Sequence, residues 1–204
     1  MLLRLLSQRR EWCRDGQYPT FMNVNPAQIA EIWDYCFVLD FIEFEDDPVV
    51  RTVGDRLQGY LPAPVRNCQL PDVPANSLIE QAGPYYQEIL DRGVPISRGG
   101  EFVKYDGMKV LYRSTILPMS DDGITVSGLL RAANCREVPN GWPAFRGRGS
   151  AMHDMKAFEI HTYRGGKWKI DSVFDDRDLA LFEAHRMDLS GQYSGFRVVE
   201  EIYV

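Results

Sequence analysis

The sequence predicts an α+β fold in which a larger, mainly antiparallel domain is followed by a small ββαβ module. Three tight-turn signals indicate this: Asp106-Gly107, the SDDG stretch at residues 120–123, and Gly165-Gly166. Each separates two runs rich in aromatic and β-branched residues, which is typical of β-hairpins. Runs with helical periodicity lie before, between and after the strands. We therefore divide the chain into an N-terminal helix and turn (1–19), a larger domain (20–137), a linker (138–154) and a ββαβ module (155–204).

Composition and charge limit the classes of function. Of the 204 residues, 45% are apolar and 25% are charged, which is the balance of a soluble globular protein. The formal net charge of −6 argues against nucleic-acid binding, because a phosphate backbone requires a basic surface. No run of about 18 apolar residues is present to span a membrane, and the opening MLLRLL is too short for a secretion signal. The four cysteines lack CxxC spacing, so we expect reduced thiols in the cytoplasm.

The N-terminal segment, residues 1–15, has the pattern of an amphipathic helix, and Asp15-Gly16 supplies its end. Its apolar stripe consists of Leu2, Leu3, Leu5, Leu6 and Trp12. Two interpretations fit: the helix lies on its own domain, or the leucines pair with a second copy of the chain. We predict a homodimer formed through this helix.

The larger domain begins with two strands, at residues 36–45 and 49–54. An irregular middle, residues 58–76, is rich in Pro and Gly. A helix over residues 77–93 follows, and we expect Pro84 to kink or divide it, because proline lacks the amide donor that a helix interior uses. Three further strands are predicted at residues 100–105, 108–119 and 124–135.

The ββαβ module is predicted as a hairpin, a helix and a third strand at residues 196–204. The apolar stripe of its helix is expected at Leu179, Phe182 and Leu189, flanked by Ala180, Ala184 and Met187. Three strands under one helix leave a face open, so we expect the module to dock on the larger domain or on a partner. The Gly-rich linker is expected to be flexible and to leave the position of the module relative to the larger domain unfixed.

Aspartates and histidines in the module form no recognisable catalytic or metal set. We interpret Asp175 as the cap of the helix, with Asp178 three residues later, and Asp171 and Asp176 as further caps rather than a catalytic pair. The chain's histidines are His153, His161 and His185, without the spacing of a metal site. No P-loop or catalytic-triad spacing is present.

The element order of the larger domain resembles that of PAS domains. Several motifs are similar to one branch, the small stand-alone PAS proteins found mainly in alphaproteobacteria. Over about residues 5–137, after a leading helix with Trp12 and a turn at Pro19, the matching stretches are N-P-A-Q-I, V-L-D, R-T-V-G-D-R-L, Y-Y-Q-E-I-L-D-R-G-V-P, Y-R-S-T-I-L-P-M-S-D-D-G and V-S-G-L-L. The resemblance implies an antiparallel sheet with helices over one face, enclosing a pocket or its remnant. It also implies a non-enzymatic sensory or regulatory protein that acts through protein contacts, with a small ligand as an optional gate.

Asn67-Cys68 raises the alternative of a flavin-binding photosensor. LOV domains carry a segment that reads roughly G-x-N-C-R-F-L-Q on a helix beside the pocket. Here Gln69 stands in place of the Arg that holds the flavin phosphate, and Asp72 in place of the Gln. These departures from the LOV pattern favour a structural role for Cys68, and we predict no cofactor.

A further set of residues is predicted to line the cavity that the PAS resemblance implies. They are Tyr85, Tyr86, Tyr105, Tyr112, Arg113 and Arg131, together with Cys68. Aromatic rings with a few polar groups suit a small-ligand pocket, and they equally suit a filled core. A small enzyme or binding protein with a curved, cone-like sheet is a rival class. That class needs an Asp–His pair in the pocket, and residues 1–152 contain no His.

Overall fold

The computed structural model describes residues 2–13, 17–41, 47–139 and 155–203, and over these residues nine strands form one sheet. The strands are β1 (Cys36–Asp40), β2 (Val49–Val53), β3 (Cys68–Gln69), β4 (Ile96–Val103), β5 (Lys109–Ser120), β6 (Val126–Val138), β7 (Met155–Arg164), β8 (Lys167–Phe174) and β9 (Phe196–Tyr203). The helices are α1 (Leu2–Trp12), α2 (Ala30–Trp33), α3 (Asp55–Gln58), α4 (Gly83–Arg92) and α5 (Arg177–Leu189), with 3₁₀ turns at Pro26–Ile29, Leu70–Asp72 and Glu80–Ala82. The strand order is β3-β2-β1-β6-β5-β4-β8-β7-β9, antiparallel throughout except for β4 and β8.

The α+β, PAS-like order of the larger domain is confirmed: two strands, a helical middle and three strands. The two hairpins turn where the sequence predicted, and Gly107 (φ 84°) and Gly123 (φ 78°) adopt the left-handed backbone that favours glycine. The predicted helix is divided, because α4 begins at Gly83 after a 3₁₀ turn, with Pro84 in its first turn. The end of the predicted first strand, residues 42–45, lies outside the described residues.

The sheet has two apolar faces, and neighbouring residues of β6 show how they alternate. Leu129, Arg131 and Ala133 point to the side covered by α3 and α4, which we call the α4 face. Leu130 and Ala132 point to the side covered by α1 and α5, which we call the α1 face. Helices therefore cover both sides of the sheet, not only the side implied by the PAS resemblance.

Helix α1 packs on the sheet of its own chain. Leu5, Leu6 and Trp12 are buried against residues of β5 and β6. The dimer prediction assumed that a monomer can cover the leucine stripe only in part, and the structure buries Leu5 and Leu6 of that stripe. Leu2 and Leu3 are only partly buried, and pairing through α1 remains a prediction.

The C-terminal module joins the larger domain by strand pairing. Its hairpin turns at Gly165 and Gly166 as predicted, and β8 runs parallel to β4 with Val173 opposite Ile96. The Val173 amide also donates to the Pro95 carbonyl oxygen at 2.9 Å. The module therefore docks as expected but in one defined pairing, so the prediction that its position is unfixed is wrong. Residues 140–154 of the predicted linker lie outside the described residues.

Helix α5 differs from its prediction at its cap. Asp176, not Asp175, is the N-cap, and its carboxylate accepts from the Leu179 amide at 3.0 Å. Asp175 instead accepts from the Gly99 amide at 2.7 Å, which ties the module to β4. Asp171 is no cap either, since it lies on β8 and pairs with Arg10 of α1.

The buried stripe of α5 also differs. Phe182 and Leu189 are 60% and 74% exposed, whereas Ala180, Ala184 and Met187 are buried on the sheet. The predicted flank of the stripe is thus the face that packs on the sheet, because small alanines let the helix approach the strands closely. Among the described helices, none is long and apolar enough to cross a membrane.

Candidate functional site

Arg131 lies at the centre of the α4 face. It stands on β6 between Phe37 of β1 and Ile116 of β5, and its exposure is 0%. Its Nη1 donates to the Leu78 carbonyl oxygen at 3.2 Å, and its Nη2 donates to the Ser114 hydroxyl at 2.9 Å. Its Nε is buried and has no acceptor among the described residues.

Three aromatic rings surround the Arg131 guanidinium. The distances from Cζ to the ring centroids are 5.4 Å for Tyr112, 5.8 Å for Phe37 and 5.9 Å for Tyr85. Ring faces attract a cation within about 6 Å. These contacts offset part of the cost of burying the charge, but they supply no negative charge.

Glycine at position 100 makes room for one of these rings. A Cβ on Gly100 would lie 2.6 Å from the Tyr112 hydroxyl oxygen, closer than real contacts allow. Gly100 faces Tyr112 directly across the β4–β5 ladder. The close approach of this strand to the ring therefore requires glycine.

No described neighbour neutralises Arg131. Burial lowers the pKa of the guanidinium, and the nearby tyrosines oppose that shift. Burial also raises the pKa of the Tyr112 phenol and raises that of the Cys135 thiol to about 12, so both stay neutral at physiological pH. Within the described ranges, no carboxylate forms an ion pair with Arg131. Among the residues that the structure describes, the site is therefore a buried cation without an anionic partner.

The predicted cavity residues only partly come together. Tyr85 and Tyr112 meet at Arg131, and Tyr86 packs on Phe41 with ring centroids 5.8 Å apart at the edge of the same core. Cys68 also packs on this core, partly buried on the edge strand β3 rather than on a helix. Burial raises the pKa of its thiol, so the environment does not favour the reactive thiolate.

Two of the predicted cavity residues lie elsewhere. Tyr105 is 61% exposed in the β4–β5 turn, with the Lys104 ammonium 5.4 Å from its ring centroid. Arg113 follows Tyr112 on β5 and so points to the α1 face, where its Nη2 donates to Asp176 at 2.8 Å. Assigning both to the cavity was wrong. Arg113 points to the opposite face because adjacent strand residues alternate between faces, and Tyr105 lies in the turn beyond the end of β4.

Sequence reasoning missed several residues that build the site. Phe37, Leu78 and Ser114 all contact Arg131, and Gly100 gives Tyr112 its space. Arg131 itself, an arginine within the apolar run L-L-R-A-A, was among the predicted residues. Its neighbours are set by strand pairing, since Phe37 and Ile116 stand opposite it.

A chain of ion pairs leads from α4 to the C-terminal module. Glu88 pairs with Arg98 of β4 at 2.8 Å and with Arg92 at 3.3 Å. Arg92 pairs in turn with Glu159 of β7 at 2.7 Å, and His161 lies 2.9 Å from the other Glu159 oxygen. The helix that carries Tyr85 is thus connected electrostatically to β4 and β7.

The described part of the chain offers no metal site. No group of three or more His, Cys, Asp or Glu residues lies close enough there to hold an ion. His161 contacts Glu159, His185 is exposed on α5, and His153 lies outside the described residues.

No protein-family model matches the chain, and no curated protein matches its sequence. Among solved structures, the chain is similar to one from work on a flavin analogue and the mechanism of a light-oxygen-voltage domain. The two share 16% sequence identity, the match covers 60% of this chain and 88% of the other, and the TM-score is 0.39.

Proposed function

We propose that this chain is a non-enzymatic regulatory protein of PAS-like architecture that senses a small carboxylate-bearing ligand at Arg131. The observation that carries the proposal is the fully buried guanidinium, which has a free Nε–H and no anionic partner among the described residues.

The energetics of the site favour an anion. A buried charge is costly unless it is paired, and an unpaired buried donor alone costs about 1–3 kcal/mol. A carboxylate bonds to a guanidinium through two parallel hydrogen bonds, which makes it the natural partner of arginine. The rings of Phe37, Tyr85 and Tyr112 supply walls for the apolar part of a small organic acid.

In this proposal, the ligand reaches the site past α4. Tyr85 is only partly buried, in contrast to Tyr112. A ligand that displaces the Tyr85 ring reaches Arg131 without opening the sheet. In this proposal the movement of Tyr85 shifts Glu88 and Arg92 on the same helix. These two residues pair with Arg98 of β4 and with Glu159 of the C-terminal module.

The output in this proposal is a contact with another protein. Binding changes the position of α4 and of the module fixed to it, and the partner reads that surface. Self-association through the partly exposed Leu2 and Leu3 of α1 is a component of the same proposal.

The test measures ligand-induced stabilisation of the full chain with sodium benzoate, succinate and acetate, at constant ionic strength. We expect at least one of these acids to raise the melting temperature of the wild type. Arg131→Met should abolish the shift, because it removes the guanidinium and keeps an apolar side chain. Arg113→Met is the matched control and should keep the shift, because Arg113 lies on the opposite face of the sheet.

Mass spectrometry of small molecules released from freshly purified, denatured protein complements the melting curves. An organic acid released from the wild type but not from Arg131→Met supports the proposal. If the wild type releases no acid and none of the three probes stabilises it, the proposal is wrong.

A further inference from the structure

A second basic site lies outside the α4 face. A cleft of about 810 Å³ opens between the end of α1, the turn after α4 and the β7–β8 hairpin. Its lining carries six basic side chains and one carboxylate, Asp171. The basic residues are Arg9, Arg10, Arg92, Arg164, Lys167 and Lys169. Such a concentration of positive charge is unexpected in a chain with a net charge of −6.

Among the described residues, carboxylates neutralise the basic side chains on only one side of this cleft. Asp171 pairs with Arg10 at 2.7 Å and lies 3.7 Å from Arg9, and Arg92 pairs with Glu159. On the hairpin, the basic residues are exposed and form no ion pair within the described ranges. They are Arg164, Lys167 and Lys169.

Strand geometry places these hairpin cations together. Arg164 stands opposite Lys167 across the β7–β8 ladder, and Thr162 stands opposite Lys169. Residues two apart on a strand share a face, so Arg164, Lys167 and Lys169 project from the same side. The Arg164 Cζ also lies 5.0 Å from the centroid of the Tyr193 ring, and Tyr193 lines the cleft.

The α1 wall carries an unused donor. Nε of Arg9 is buried and has no acceptor among the described residues. A buried donor that lacks its hydrogen bond is costly. A ligand oxygen in the cleft is a suitable acceptor for such a donor.

We propose that this cleft binds a small ligand that carries two or more phosphate groups. Phosphate oxygens accept several charge-assisted hydrogen bonds at once, from both arginine and lysine. A singly charged anion would leave most of the cations in the cleft unneutralised. The volume lies in the range of small-ligand sites. This site lies apart from Arg131, and Arg92 is the residue that it shares with the ion pairs of the carboxylate proposal. Its test does not depend on that proposal.

Calorimetric titration of the full chain tests the proposal, with sodium pyrophosphate as the probe, inorganic phosphate as the comparison and ionic strength held constant. We expect pyrophosphate to bind more tightly than phosphate. The double variant Lys167→Gln, Lys169→Gln should weaken pyrophosphate binding about tenfold or more, because each removed cation contributes charge-assisted hydrogen bonds. The matched control is Lys109→Gln, Lys156→Gln, which removes two charges from lysines outside the cleft that pair with Glu101 and Glu200.

The control should bind pyrophosphate within about twofold of the wild type, since the two removed charges act on the cleft only at long range and are screened by salt. Equal weakening in both double variants would mean that pyrophosphate responds to net charge alone, and the proposal would fail. It would fail equally if the wild type bound no pyrophosphate.

Amide chemical-shift changes in the unmodified chain provide a readout that needs no variant. Pyrophosphate should shift the amides of Arg164, Lys167, Lys169 and Tyr193 more than those of β1 and β2. Shifts spread evenly over the surface would overturn the assignment of the cleft.

Discussion

Arg92, the last residue of α4, donates through Nη1 to the Glu159 carboxylate of β7 at 2.7 Å. The Glu159 side chain is 2% exposed and that of Arg92 is 18% exposed. The pair joins the helix above Arg131 to the C-terminal module in a nearly dry environment. Removing one partner of such a pair leaves an uncompensated buried charge.

We predict strong coupling between these two residues. Arg92→Met should lower the free energy of unfolding by about 2 kcal/mol or more, because Glu159 stays buried after losing this cation. Adding Glu159→Gln should cost less than the sum of the single changes, with a coupling energy of about 1–3 kcal/mol. Urea unfolding of the wild type, the two single variants and the double variant measures this coupling energy. Additive effects would show that the pair does not fix α4 to the module.

Arg131→Met should change stability little in the absence of ligand. The variant loses two hydrogen bonds, to Leu78 and Ser114. It also removes a buried charge that has no carboxylate partner in the described ranges. These effects oppose each other, so we expect the free energy of unfolding to stay within about 1 kcal/mol of the wild type. Chemical denaturation measures the difference. A loss of several kcal/mol would assign Arg131 a purely structural role.

Asp171 and Asp175 should give stability opposite dependences on pH. Burial raises the pKa of Asp171, but Arg10 and Arg9 outweigh it and hold the pKa below its usual value. The unfolded chain then binds more protons, so the stability that Asp171 contributes above its unfolded pKa of about 3.9 is lost as pH falls. The pKa of Asp175 is raised, because the effect of burial exceeds the opposing effects of the Gly99 amide, Arg98 and Arg113. The folded chain then binds more protons, and this group favours folding as pH falls through the raised pKa.

Unfolding free energies between about pH 3 and pH 7 therefore separate the two carboxylates. Asp171→Asn should make the acid loss of stability shallower than in the wild type. Asp175→Asn should make it steeper, since the compensating group is gone. Identical profiles for both variants would contradict the assignment.

The purified protein should show no flavin absorbance. Gln69 replaces the phosphate-binding Arg of LOV domains, and Cys68 stands on an edge strand with a raised thiol pKa. A visible spectrum before and after blue light checks this. A flavin band that bleaches reversibly, and does not bleach in Cys68→Ala, is the contrary result.

Light scattering should give the mass of a dimer for the full chain. In this prediction the interface uses the partly exposed Leu2 and Leu3, so Leu2→Ser with Leu3→Ser should give a monomer that still folds. The exposed Leu189→Ser of α5 is the matched control and should leave the mass unchanged. A monomeric wild type would remove the prediction.

Local signals in the sequence determined the hairpins, the division of the middle helix and the amphipathic α1. Turn residues such as Gly107 and Gly165 act within a few positions of the chain, and glycine alone tolerates the required φ without cost. Pro84 marks a helix start for an equally local reason. These elements were predictable because the physics that forms them needs no distant partner.

Tertiary structure alone decided how the elements meet. The parallel pairing of β4 with β8 has no turn signal, because its strands are far apart in the chain. The choice of Asp176 over Asp175 as the cap depends on the Gly99 amide, which β4 brings to Asp175. Arg131 and Arg113 carry the same side chain, yet only strand register puts one in the core and the other on the opposite face. Long-range pairing sets register, and register decides which charge is buried.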